Sequence, residues 1–221
     1  MTSQIIIGLI AEGTTDVKFL KNVIFRTVEE VSWECKAQLD IYDIQLITAK
    51  GDSFVEKMTD ALRKAYAYTN ALCIHADADS ATIDRVMQRK FKPLFDSVAL
   101  LNEESICKVI IPTIPVQMIE SWMLADKSLL KRLINAGKLS DTDLFIDKMP
   151  EQYADPKSVI NEAIRIAMSS HTKRRRDQIT IDDLYETLGN QIDLTSLRLL
   201  PSYRIFEENV RDAFRKLKLL Q

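Results

Sequence analysis

A chain of 221 residues that is 46% hydrophobic and carries a formal net charge of −2 can bury a core without disulfide staples. Its 30 basic and 32 acidic side chains exclude a protein that coats nucleic acid through bulk positive charge, though not one that meets it at a local patch. Cys35, Cys73 and Cys107 are few, odd in number and far apart, which excludes a disulfide framework or zinc finger and suits a reducing cytoplasm.

The apolar run Ile5 to Ile10 is too short to cross a membrane and lacks the basic flank of a signal peptide, so no membrane partner is expected. The same run predicts a first strand buried on both faces. A turn at Glu12-Gly13-Thr14 leads into a helix to about Glu30, capped by Thr14 or Thr15 with Asp16 in its first turn. Leu39 to Ile47 predicts a second strand. Ser53 and Glu56 form a capping box that opens a helix to about Tyr68. Ala71 to His75 predicts a third strand, ended by Asp77-Ala78-Asp79-Ser80 and followed by a helix through about Phe95. Lys108 to Pro112 predicts a fourth strand. This alternation predicts an α/β fold, a Rossmann-like, mostly parallel sheet with helices on both faces and right-handed crossovers.

Beyond Pro115 the pattern turns helical. Met118 to Ile134 reads as helix interrupted near Lys127, Asp155-Pro156 starts another, and Thr180 to Leu188 and Ser202 to Leu219 follow. The expected division is a core over residues 1–115 and a helical C-terminal extension over 116–221 packed on it.

Sites in open parallel sheets form at the carboxyl ends of the strands. Glu12 follows the first strand; Asp77 and Asp79 follow the third. If those strands are neighbours, three carboxylates meet, and a hard cation such as Mg²⁺ or Mn²⁺ relieves their repulsion and activates water toward phosphate. Taken singly, Glu12 equally suits a solvent-facing turn and Asp79 a helix cap.

The string Ile5-Ile6-Ile7-Gly8-Leu9-Ile10-Ala11-Glu12-Gly13-Thr14-Thr15-Asp16, with the later Ile74-His75-Ala76-Asp77-Ala78-Asp79, resembles a TOPRIM domain. More narrowly, the chain resembles the DUF4276 family, through Glu120-Ser121-Trp122, Asp155-Pro156-Lys157 and Leu199-Leu200-Pro201-Ser202-Tyr203-Arg204-Ile205-Phe206. The resemblance implies Mg²⁺-dependent nuclease chemistry and a role in anti-phage defence beside an ABC-type ATPase partner. His75 stands where such proteins more often carry an aliphatic residue, and packing is its favoured role.

Glu120 is a further candidate metal ligand or acid/base group, and Lys157 a candidate phosphate contact. Lys173, Arg174, Arg175 and Arg176 form the dense basic run, suited to a nucleic-acid backbone, with Arg204 a weaker contact of the same kind. Walker A, GxGxxG and GxSxG motifs are absent. The leading expectation is a metal-dependent nuclease. The alternatives are a non-catalytic module docking an ATPase partner and, ranked low, a phosphatase of the haloacid dehalogenase type.

Overall fold

The structure, a computed structural model, describes residues 3–101, 104–169 and 179–221. Its strands are β1 (Ser3–Ile5), β2 (Ile7–Ile10), β3 (Leu39–Ile41), β4 (Gln45–Leu46), β5 (Ala71–His75) and β6 (Ile110–Thr113). All pair in parallel: β1 with β3, and β4-β2-β5-β6 in that order. The first expected strand is interrupted at Ile6. There the Ile6 N–H donates to the Asn70 side-chain oxygen at 2.8 Å, and the Asn70 N–H returns a bond to the Ile6 carbonyl at 2.8 Å. One asparagine thus satisfies the backbone where the ladder breaks. The second expected strand divides into β3 and β4 around the buried Ile44.

Side chains alternate across the sheet. Ile7, Leu9, Ala71, Cys73 and Ile111 join one hydrophobic cluster; Ile10, Leu72, Ile74 and Ile110 join the other. Both faces are therefore covered, as a parallel sheet requires. Helix α1 (Thr14–Ser32) lies on the first face, its Phe19, Leu20, Val23, Ile24, Val28 and Val31 repeating at the three-and-four spacing of a buried stripe. Helix α2 (Phe54–Ala65) covers the second face; its expected capping box is present, with the Glu56 N–H donating to Ser53 Oγ at 3.2 Å.

The helix after β5 starts only at Asp84. It runs as α3 (Asp84–Val86), a π-turn (Met87–Phe91) and α4 (Lys92–Leu100). Pro93 follows the π-turn; its missing N–H and bulky ring disfavour a regular α ladder through that point.

The expected helix over 118–134 is two, α5 (Glu120–Met123) and α6 (Lys127–Leu133). Asp126 begins the second by accepting the Leu129 N–H at 2.9 Å. Then come α7 (Pro156–Ser169), α8 (Ile181–Gln191), α9 (Leu194–Leu197) and α10 (Pro201–Lys216). These elements share the α1 cluster: Trp122, Ile160, Tyr185, Leu197, Tyr203 and Phe214 are buried with Phe19 and Leu20. The approach of α8 to α1 is close. A Cβ added at Gly189 would fall 2.6 Å from the Phe19 carbonyl oxygen. Trp122 packs edge-on to Tyr203, and its indole N–H donates to Ser202 Oγ at 2.7 Å. Among the described residues, no helix is long and apolar enough to cross a membrane.

Candidate functional site

The pairing of β2 with β5 sets the site. Ile10 stands opposite Ile74, so Glu12 and Asp77 leave the ends of adjacent strands on the same side of the sheet. β6 continues the edge, with Thr113 opposite His75. The loops past β5 and β6 are then laced together: Ala78 N–H donates to the Pro115 carbonyl, Asp79 N–H to the Gln117 carbonyl, and Gln117 N–H to the Ser80 carbonyl. Asp79 and Gln117 both lie in the left-handed region, at φ 48° and 58°. Non-glycine residues persist there only where neighbouring contacts hold them, and such positions cluster at functional sites.

Within this edge Glu12, Asp16 and Asp77 lie close to a basic side chain. The Lys90 ammonium, from the π-turn, lies 2.7 Å from Glu12 Oε1. His75 is fully buried between two aspartates, its Nε2 3.3 Å from Asp77 Oδ1 and its Nδ1 3.7 Å from Asp16 Oδ2. Neither ring nitrogen nor Asp77 Oδ1 makes a well-aligned hydrogen bond, and none of the three is exposed. The 21% exposure of the Asp77 side chain therefore lies away from Oδ1. Asp16 also accepts the Gly13 N–H at 2.9 Å, so Gly13, not Thr14 or Thr15, is the N-cap of α1.

Deeper in, Glu120 is buried at the start of α5. It accepts the Tyr185 hydroxyl of α8, while the Lys157 ammonium of α7 stands 3.5 Å away, half exposed. Burial raises the Tyr185 phenol far above its ordinary range, reinforced by the hydrogen bond to Glu120 and the negative charge of Asp16. Tyr185 is therefore held as a permanent donor, and Glu120 is fixed in orientation by a neutral partner.

The structure thus brings Glu12, Asp77, Glu120 and Lys157 to the carboxyl edge of the sheet. Asp79 is on the same loop as Asp77 but exposed. Among the described residues, no three His, Cys, Asp or Glu side chains stand together as a metal-holding group, so Glu12, Asp77 and Asp79 do not form a closed cage. Mg²⁺ does not need one. It keeps several waters and binds through one or two carboxylates together with substrate phosphate. The partly exposed carboxylates of Glu12 and Asp77, leaving neighbouring strands, fit that open mode.

Arg204 is exposed on α10, where it donates to the Arg198 carbonyl at 3.0 Å instead of entering the acidic edge. Lys173, Arg174, Arg175 and Arg176 lie outside the described residues. Sequence reasoning missed Lys90 and Tyr185 entirely, took Asp16 only as a first-turn helix residue, and missed the centrality of His75. Asp16 was legible as the residue one helical turn after Glu12. Lys90 and Tyr185 carried no local signal, because only the crossovers bring them to the edge. Comparison with family models, with curated proteins and with solved structures gives no match.

Proposed function

We propose that the chain is a TOPRIM-type, divalent-cation-dependent phosphodiesterase acting on nucleic acid. The observation that supports this reading is the register Ile10 to Ile74, by which Glu12 and Asp77 follow the ends of adjacent parallel strands on the same side of the sheet. Those two residues would hold Mg²⁺ or Mn²⁺, with Asp79 beside them on the loop. A bound ion supplies Lewis acidity toward a phosphate and a water of lowered pKa. The chain's own groups do the rest. Glu120, held by the Tyr185 hydroxyl, would accept a proton, and the half-exposed Lys157 would offer a cation to charge developing on phosphate. Lys173, Arg174, Arg175 and Arg176 are the proposed backbone contacts because they form the dense basic run, with Arg204 a weaker one; an ABC-type ATPase is the proposed partner, supported by the sequence resemblance.

The test is cleavage of single- and double-stranded oligonucleotides with Mg²⁺ or Mn²⁺, alongside calorimetric Mn²⁺ titration. Asp77→Asn should lose both cleavage and ion binding while its circular dichroism stays that of the parent. Cleavage by Asp77→Asn at the parental rate would remove the assignment.

One observation favours a second reading, a non-catalytic module that docks an ATPase. Four acids of the edge already have protein partners, Lys90 on Glu12, His75 between Asp16 and Asp77, and Lys157 near Glu120, so these carboxylates are engaged without an ion. Under this reading the protein binds no Mn²⁺ in the titration above.

A further inference from the structure

We infer that Lys90 is the resident counter-ion of this site: it holds Glu12 in the cation-free protein and passes to a substrate phosphate when a divalent cation takes Glu12. The inference rests on the cation-dependent reading above and assigns a role to a residue that reading does not use.

The geometry is specific. The Lys90 ammonium reaches Glu12 Oε1 at 2.7 Å across 78 positions of sequence, from the π-turn that follows β5 to the turn that follows β2. The same ammonium sits 5.6 Å from the centroid of the Phe54 ring, at the start of α2. It thus has two cradles at the carboxyl edge, a carboxylate and an aromatic face. Losing the first leaves it held near the site by the second.

The pair is a poor structural brace. The two side chains are 31% and 43% exposed, and ion pairs so wetted contribute little to stability. An ammonium on the acid that follows β2 instead occupies the carboxylate that the proposed cation would need. The two positive charges repel, so an ion on Glu12 would weaken its pairing with Lys90. Once displaced, Lys90 would have a flexible four-carbon stem with which to reach the negative charge left on a phosphate bound there. The widened turn helps. π-turns concentrate at functional positions because they project a side chain out of helical phase.

The experiment compares the full chain with Lys90→Met, Lys90→Arg, Glu12→Gln and Asp77→Asn. Mn²⁺ binding is followed by the loss of the free-ion paramagnetic resonance signal. Binding of a ten-residue thymidine oligonucleotide with Ca²⁺ is followed by anisotropy across a salt series. Removing the competing ammonium should make Lys90→Met bind Mn²⁺ about threefold to tenfold more tightly, the range open to a half-exposed pair. The same variant should bind the oligonucleotide more weakly, with the salt slope reduced by about 0.7, one phosphate contact on a single strand. Lys90→Arg should stay near the parent in both.

Mn²⁺ binding that depends on Glu12 and Asp77 yet is unchanged in Lys90→Met overturns the counter-ion role and leaves the cation site standing. Tighter Mn²⁺ binding with an unaltered oligonucleotide slope overturns the transfer to phosphate. No Mn²⁺ binding by either the parent or Lys90→Met overturns both the inference and the reading beneath it.

Discussion

The Tyr185 hydroxyl donates to the Glu120 carboxylate inside the protein, joining α8 to α5 at the end of the sheet. Hydrogen bonds to charged groups contribute more than neutral ones, and an acceptor left unmet in the interior adds its own cost. Tyr185→Phe keeps the ring and removes only the oxygen. Its urea midpoint should fall by an amount equivalent to about 1.5–3 kcal/mol. A midpoint equal to the parent's would mean that Lys157 or water takes over the carboxylate fully.

Tyr185 and Tyr203 both have phenol pKa values raised well above normal, chiefly by burial. Tyr203 shares its hydroxyl with Thr27 Oγ1 at 2.8 Å. Raised folded-state values mean that the folded chain keeps protons the unfolded chain releases above pH of about 10. Stability contributed by these phenols is therefore complete below that pH and declines as pH climbs further. Denaturant titrations between pH 8 and pH 11, read to about half a pH unit, should show this decline, and Tyr203→Phe should flatten it. An identical slope in parent and variant would contradict the assignment.

Asp79 occupies the left-handed region in the laced loop beyond β5. A β-carbon there costs on the order of 1 kcal/mol that glycine avoids. Asp79→Gly should thus be more stable than Asp79→Ala by about 1 kcal/mol, although both lose the carboxylate. Equal melting behaviour of the two variants would show that the loop relaxes away from this conformation.

Gly189 is needed for closeness, not for backbone freedom. Alanine would improve helix propensity by nearly 1 kcal/mol. Its methyl would also meet the backbone of Phe19 at 2.6 Å, and backbone cannot swing aside as a side chain can. The clash should win, with Gly189→Ala destabilised by about 1–3 kcal/mol. A thermal midpoint above the parent's would show that α8 slides freely on α1.

Much of the sheet could be read directly. The apolar runs at Ile7, Ala71 and Ile110 are strands because both faces are covered, and parallel order follows from the helices between them. Glu12 and Asp77 follow two of these runs, and the pairing of β2 with β5 supplies the adjacency on which their shared edge depends. What escaped was whatever depends on a partner distant in sequence. Asn70 interrupts the first strand from the far end of α2's loop, the third crossover helix opens at Asp84 and so is not capped by Asp79, and Tyr185 arrives at Glu120 from 65 positions away. His75 looked like filler in a strand. Its placement between Asp16 and Asp77 depends on how α1 leaves β2, which no local pattern encodes.

Because Trp122, Tyr185, Tyr203 and Phe214 are buried together with Phe19 and Leu20, a cut between the two halves would divide this shared core among the described residues. A fragment ending at 115 would present the underside of α1 to water as a greasy strip, and its natural fate is precipitation or capture by chaperones. Anyone seeking the smallest working piece should shorten surface loops rather than discard the second half.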